Sequence, residues 1–406
     1  MKDYTIRTDC RLCGGPLSPP IFDVGETALA NEYVSDPSEP QDTFPEPQDT
    51  FPLYIVECLT CHHVQLPVVV NPERLYARGY KYQSGTSPVY RAHLEKYADE
   101  ITELCGQDLK ILEVGSNDGT FLRMLQARGH TVVGADPAGT GDDVIVEFFT
   151  EASIPRVKEA LGGLADVVVA NHVFAHVADL PELADAIRGV LRENGRFIFE
   201  VGDGLNVSTG QCFDLVYHEH LDYHQARCLA PLLERHGLWL CGVDENSAQG
   251  GSIRCRAIAY SVPMIHGCRP DNRLKKERAC AVDHWFNEAV RNARRSVTIT
   301  GMSGPCSAGV VAFGACAKLT TFCAATGWRP PKVYDDNPAK VGLHTPGTHI
   351  PIVAAREILT DNPPAVLVTA WNFYEEIRDR LRAWGYRGDI VRALPSFYVD
   401  RWEAAA

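Results

Sequence analysis

The sequence has no basic excess, no long apolar run and no apolar leader, and each absence removes a class of function. Acidic residues outnumber basic ones 52 to 39 in 406 residues, a net charge of −13, so no general positive field draws in a nucleic-acid polymer or an anionic membrane. An anionic ligand must be met by local donors. No run reaches the roughly 18 apolar residues that span a bilayer, and the opening Met1-Lys2-Asp3-Tyr4-Thr5-Ile6 lacks the core of a signal peptide. A soluble, cytoplasmic protein is expected. At about 100–200 residues per domain, a chain that is 45% hydrophobic and 22% charged divides into two or three compact units.

Fourteen cysteines in a chain this large, without a leader and able to bury its own core, read as free thiols and metal ligands rather than disulfides. Cys10 and Cys13, then Cys58 and Cys61, form two Cys-x-x-Cys pairs separated by 44 residues. Four thiolates so spaced match a closed, structural Zn²⁺ site. A redox dithiol needs only one pair on a thioredoxin-like unit and stays an alternative, as does chance spacing. His62 and His63 are spare ligands beside the set. The other ten cysteines read as small buried apolar residues.

The first 75 or so residues are proline-rich and irregular, with a tandem EPQDTFP repeat at Glu39–Pro45 and Glu46–Pro52 that reads as a duplicated surface loop. An aromatic turn region, Tyr76 to Tyr90, and a helical pattern, His93 to Leu104, lead onward. From Leu109 to about Tyr260, short apolar runs at 109–114, 131–135, 167–170 and 196–200 alternate with amphipathic segments such as Leu180 to Leu191. That alternation predicts a doubly wound α/β sheet, and runs at 239–243 and 252–260 around Gly250-Gly251 close one edge antiparallel. A polar break at 263–273 and a long helix, Leu274 to Arg295, precede a second alternation with strands at 310–314, 332–334 and 365–369 and a helix at 372–384. The fold class is therefore α/β: a small zinc-binding N-terminal module followed by two Rossmann-like doubly wound domains.

The strand Ile111-Leu112 runs into Glu113-Val114-Gly115-Ser116-Asn117-Asp118-Gly119 and then a helix from Phe121. Glycines there permit a tight turn and close ligand approach, yet the three-glycine dinucleotide fingerprint is missing. Asp136 ends the next strand and lies where ribose hydroxyls bind, a placement shared with nicotinamide enzymes; an N-cap role is the plain alternative. Phe148-Phe149 offers either a stacking surface for adenine or ordinary core packing.

The segment Phe213 to His224 is dense in titratable side chains. Glu219 stands between two histidines, unlike the His-Glu-x-x-His of zinc proteases, so a general base with orienting neighbours is the better reading. Surface or core polar groups are the alternative. His176 follows the strand Val167–Ala170, at the sheet edge where ligands bind. The turn Gly314 to Lys318 offers backbone N–H groups and a lysine to a diphosphate, with an ordinary connection as the alternative; His349 and Trp371-Asn372 are weaker candidates.

Five segments in register, the four cysteines, EVGSNDG at 113–119, NHVFAHVADL at 171–180, FDLVYHEHLDY at 213–223 and VYDDNPAKVGLHTPGTHIPI at 333–352, resemble the three-part sugar C-methyltransferases of deoxysugar pathways. The resemblance implies a zinc module over 1–75, an S-adenosylmethionine-dependent methyltransferase domain over 76–262 and a Rossmann-like substrate-binding domain over 263–406. It implies that Glu113, Gly115, Ser116, Asn117, Asp118 and Gly119 form the S-adenosylmethionine loop. Asp136, Pro137, Phe148, Phe149 and Asn171 would complete that site.

The implied acceptor is a nucleotide-linked 4-keto-deoxysugar, with dTDP as the nucleotide, in antibiotic biosynthesis. His220 would be the base at C3, with Tyr217 and Glu219 beside it and His176 opposite; Tyr80, Tyr82 and Ser84 would border the sugar, and Lys318 and Asn372 would hold the substrate. A monomer or weak homo-oligomer is expected. The chain departs from the resemblance at Gln249, where the family has histidine before the paired glycines, and at Leu319-Thr320, where it has Gly-Asn. Three other classes compete: a nicotinamide oxidoreductase or epimerase, a noncatalytic zinc-binding scaffold, and a methyltransferase acting on oxygen or a non-sugar enol.

Overall fold

The structure, a computed structural model, describes residues 3–35, 48–77, 85, 87–205, 212–260, 290–293 and 309–402. The first EPQDTFP copy and most of the expected helix at 274–295 lie outside the described residues.

The N-terminal segment is more regular than its prolines suggest. It holds β1 (Tyr4–Ile6), β2 (Phe22–Thr27), β3 (Phe51–Glu57), β4 (Val64–Gln65) and β5 (Val68–Val70). β1 pairs with β5, and β2, β3 and β4 form an antiparallel sheet. Phe51 and Pro52 of the second repeat start β3, with Phe51 buried, so this copy ends inside the sheet and is not wholly a loop. Pro52 is tolerated because it begins a short strand.

The central unit runs α1 (Pro88–Cys105), β6 (Lys110–Val114), α2 (Thr120–Gln126), β7 (Thr131–Ala135), β8 (Val144–Ile145), α3 (Ile154–Leu161), β9 (Ala165–Asn171), α4 (Leu180–Val190), β10 (Leu191–Gly202), β11 (Asp222–Tyr223), α5 (Ala226–Arg235), β12 (Leu238–Asn246) and β13 (Ser252–Ala259). α1 starts where Ser87 accepts the Tyr90 N–H and Pro88 needs no donor partner. The sheet order is β12-β13-β10-β9-β6-β7-β8, parallel except for the antiparallel β13 and β12 edge, the edge expected from the Gly250-Gly251 turn. Strand alternation sends Leu112, Val168 and Phe199 to one core with α3, α4 and α5. Ile111, Val167 and Ile198 go to another with α1 and α2, which is why the runs are apolar throughout.

The C-terminal unit holds β14 (Val310–Phe313), α6 (Ala317–Thr326), β15 (Val333–Asp335), β16 (Ile352–Ala354), α7 (Ile358–Asp361), β17 (Ala365–Val368), α8 (Tyr374–Ala383), β18 (Asp389–Arg392) and β19 (Tyr398–Asp400). Its order, β16-β15-β14-β17-β18-β19, reverses direction at β14 as the central sheet reverses at β6. Both reversals open a crevice at the strand carboxyl ends.

The segments interlock. β11 leaves the central unit to pair with β4. One continuous core combines Leu53, Ile55 and Leu66 with Phe213, Val216 and Leu221 and with Ala312, Leu319 and Phe322. Arg11, between Cys10 and Cys13, is buried with Asp222, Nη1 to Oδ1 2.9 Å, and both side chains are 0% exposed. Its other N–H groups reach the carbonyls of Leu66, Ala178 and Leu221 at 3.0–3.2 Å.

Removing one partner of such a pair leaves a buried charge unmatched. Arg11→Met is expected to lose about 3–5 kcal/mol of stability, read as a fall in the urea midpoint; an unchanged midpoint contradicts this role for the pair.

Candidate active site

A cleft of about 510 Å³ opens at the carboxyl ends of β6, β7, β9 and β10, with walls drawn from all three sets of strands. Gly115, Asn117, Asp136, Pro137, Phe148, Phe149 and Asn171 border it on the central side. The loop after β6 is shaped by backbone that favours glycine: Gly115 has φ +73° and Gly119 φ +69°. A Cβ on Gly115 would meet Val173 Cγ2 at 2.2 Å.

Asp136 organises this loop, its Oδ2 accepting the Asn117 N–H at 2.9 Å and its Oδ1 the Ala138 N–H at 2.7 Å. Glu113, Ser116, Asp118 and Gly119 lie behind the cleft wall. Ser116 packs against Gly134, and Asp118 accepts the Gly85 N–H at 2.9 Å. Glu113 is buried, and burial, then Asp136 and Asp118, push its carboxyl well above the usual range. The Asn171 amide lies close enough to draw it down in part, yet Glu113 Oε2 and both Asn171 amide atoms lack a well-formed hydrogen bond. Buried polar groups of this kind are normally satisfied, so a ligand with a cationic, hydrogen-bonding end suits them, as the amino-acid end of S-adenosylmethionine would.

The segment between β10 and β11 supplies the opposite wall. His220 Nδ1 lies 2.9 Å from the Leu215 carbonyl, which can only accept, so Nδ1 carries the hydrogen and Nε2 is the basic nitrogen. The Tyr217 hydroxyl donates to that nitrogen at 2.6 Å. The His176 ring meets His220 edge to face at 5.1 Å. Loss of water, with His176 adding repulsion, holds His220 well below the ordinary imidazole value. Desolvation brings His176 down to about 4 and pushes Glu219 up to about 7, against the Asn31 hydrogen bond.

Several cleft residues were assigned no site role from the sequence. Asn31 Nδ2 donates to Glu219 Oε2 at 2.8 Å, and the Tyr76 hydroxyl lies 3.1 Å from His176 Nδ1. Tyr90, His172 and Lys340 also border the cleft. Asn31 lies in no segment that the sequence marks, its partner being 188 residues away, whereas Tyr76 and Tyr90 bound the aromatic turn region and His172 and Lys340 lie within the segments at 171–180 and 333–352. Glu200, singled out by no motif, is a structural hub behind the wall, receiving Asn246, Arg254 and His93 at 2.9 Å.

Of the candidates in the C-terminal unit, Lys318 borders the cleft. Asn372 does not: its Nδ2 donates to Gln249 Oε1 at 3.1 Å. Trp371 is turned to Asp214, and His349 is exposed. Tyr80, Tyr82 and Ser84 lie outside the described residues.

The four cysteines converge, with ligand atoms within 4.8 Å of one another. Sulfur pairs Cys10–Cys61 and Cys13–Cys58 stand 3.6 and 3.5 Å apart, close to the edge of about 3.8 Å that a tetrahedron with 2.3 Å Zn–S bonds requires. The N–H groups of Thr60 and Cys61 point at Cys58 Sγ, each at 3.4 Å, as donors to a thiolate. The set fits zinc.

Three family models match the chain in succession: a zinc-binding domain over residues 10–76, a methyltransferase domain over 90–240 and a C-methyltransferase C-terminal domain over 247–395. The chain is similar to C-methyltransferase NovU of Streptomyces niveus, 29% identical over 400 residues and 91% of each chain. Among solved structures, magnesium protoporphyrin IX methyltransferase of Synechocystis with bound SAH matches at TM-score 0.33 and 14% identity, over 44% of this chain and 90% of that one. The N-methyltransferase NodS of Bradyrhizobium japonicum matches at TM-score 0.30 and 12% identity, over 43% and 99%.

Gly115→Ala places a methyl group against Val173 in a left-handed backbone conformation that costs a residue with Cβ about 1–2 kcal/mol. Affinity for S-adenosylhomocysteine, measured by calorimetry, is expected to fall about tenfold; wild-type affinity contradicts placing the cofactor on this loop.

Proposed function

We propose, for a chain that belongs to the C-methyltransferases through all three of its segments, that the methyl acceptor is the C3 carbon beside the ketone of a nucleotide-linked 4-keto-deoxysugar, and that the base is His220. The observation that carries the second part is the fixed tautomer: Leu215 holds the Nδ1 hydrogen, leaving Nε2 basic at the cleft wall. The first part rests on the sequence resemblance and on the charges available. Lys318 and Lys340, both on the cleft, are suited to a diphosphate in a chain whose net charge is −13, where the overall field gives no help. The four cysteines hold one zinc ion with a structural role.

S-adenosylmethionine, bound between Glu113, Asn171 and the Gly115–Asp136 loop, supplies an electrophilic methyl group. The 4-ketone acidifies the neighbouring C3 hydrogen, and His220 Nε2 takes that proton while the electron pair moves to the ketone oxygen. Tyr217, released from Nε2 as the nitrogen is protonated, donates to the developing oxyanion, and His176 can serve the same charge. The enolate so formed is the nucleophile; S-adenosylmethionine, when bound, would supply the methyl group to C3 with its sulfur keeping the electron pair of the C–S bond, which restores the ketone. The cleft holds the two reactants in line and contributes much of the rate. Glu219, held by Asn31, lines the same cleft beside the base.

His220→Asn removes the base while leaving the cofactor loop untouched. Methyl transfer is expected to fall by about 10²–10⁴ with unchanged S-adenosylhomocysteine affinity, and a deuterated methyl in the wild-type product should sit on carbon next to the ketone. Near-normal turnover in the variant, or a methyl on oxygen, overturns the assignment.

The depressed imidazole value sets the pH dependence. The neutral base persists through the physiological range and is lost only as pH falls through a value well below 6.5. In a Glu219→Gln background, where the carboxyl raised to about 7 no longer titrates, the acid limb of kcat/KM should lie well below 6.5. A limb at 6.5 contradicts a base recessed from water.

A further inference from the structure

Phe213 to Val216 touches the C-terminal unit at consecutive polar points. Trp371, in the turn that follows β17, donates its indole N–H to Asp214 Oδ2 at 2.8 Å. Thr321, on α6, donates its hydroxyl to the Val216 carbonyl at 2.6 Å. Between them, the Leu215 carbonyl receives the His220 Nδ1 hydrogen. Both donors are buried, Thr321 at 1% and Trp371 at 6% exposure. Phe213 also stacks on Phe322 of α6, ring centroids 5.9 Å apart.

A carbonyl orients a histidine only as well as its own peptide plane is held. Here that plane sits between two residues pinned from the C-terminal unit; within its own stretch it has only the three-residue turn Phe213–Leu215 and a long contact of 3.5 Å from the Tyr223 hydroxyl. We propose that Trp371 and Thr321 are positioning residues for His220: through Asp214 and Val216 they fix the Leu215 carbonyl, and so the tautomer and direction of the base. The C-terminal unit thus acts on the chemistry as well as on the substrate. The kinetic arm of this proposal rests on His220 being the base; the structural arm does not.

The test uses full-length Thr321→Val, which keeps the side-chain volume and deletes the hydrogen bond, Thr321→Ser, which restores the hydroxyl, and Trp371→Phe. Expected results are a fall in kcat of about tenfold for Thr321→Val and Trp371→Phe, with S-adenosylhomocysteine affinity unchanged in both, the acceptor KM unchanged in Thr321→Val, where no contact with Lys318 is altered, and near wild-type kcat for Thr321→Ser. Nitrogen-15 spectra of histidine-labelled protein, with His220 assigned by its loss in His220→Asn, should show protonated Nδ1 in wild type and a mixture of tautomers in Thr321→Val. An unaltered His220 tautomer in Thr321→Val overturns the proposal, as does wild-type kcat in both Thr321→Val and Trp371→Phe. Should His220→Asn remain active, the base assignment fails, while the nitrogen spectra still decide the positioning role.

Discussion

The guanidinium of Arg11, buried without exposed surface beside Asp222, is the constraint that joins the N-terminal and central segments. A buried cation persists only when its donors are met, and here the acceptors come from separate parts of the chain: Leu66 after β4, Ala178 after His176, and Leu221 with Asp222 after His220. Because Arg11 lies inside the first Cys-x-x-Cys pair, its direction is dictated by the turn that carries two of the four sulfurs. The cysteine set is remote from the chemistry yet fixes, through one side chain, the start of β11. His63 adds to this, its Nε2 meeting the same Asp222 oxygen at 2.7 Å, so the second sulfur pair is tied to the same carboxylate.

The segment from Phe213 to Asp222 is consequently anchored at both ends by other parts of the protein. The zinc module holds its far end, and the core shared with α6 holds its near end. Such a segment needs no regular secondary structure of its own to present side chains accurately, because its backbone partners are supplied from outside. It also explains why the cleft draws walls from every unit. Asn31 and Tyr76 arrive from the turns after β2 and β5, His176 from the turn after β9, and Lys318 and Lys340 from the C-terminal unit, each delivered by elements that pack on the same seam.

This arrangement separates what the sequence could disclose from what it could not. Apolar runs at β6, β7, β9 and β10 encode buried parallel strands because the pattern is local; the four cysteines are legible for the same reason, since a tetrahedral metal site demands that residue type at that spacing. The N-terminal strands were hidden by proline, whose cost vanishes at strand starts such as Pro52. Asn31, Tyr76 and Arg11 act across separations of 188, 100 and 211 residues, and no window along the chain can reveal such partners. Asn372 shows the converse: it lies after a parallel strand, where a ligand contact is a fair expectation, but the approach of the Gln249 turn claims its amide.

Electrostatics joins the site to the reaction. Water is scarce around His176, His218 and His220, all depressed, and around Glu219 and Asp214, both pushed up to about 7. The histidines of this wall are therefore neutral near neutral pH, and creating an imidazolium there is costly in isolation. On the proposed route it is never made in isolation. Proton abstraction creates imidazolium and enolate together, and methyl transfer consumes the enolate and the sulfonium together, so the reacting groups carry one positive charge before and after. The positive charge passes from sulfur to His220 without a net change that the low-dielectric wall would oppose. A recessed, weakly basic histidine is then no handicap: its depressed value keeps it unprotonated until an acceptor is bound, and the adjoining carbanion supplies the attraction that the empty cleft lacks.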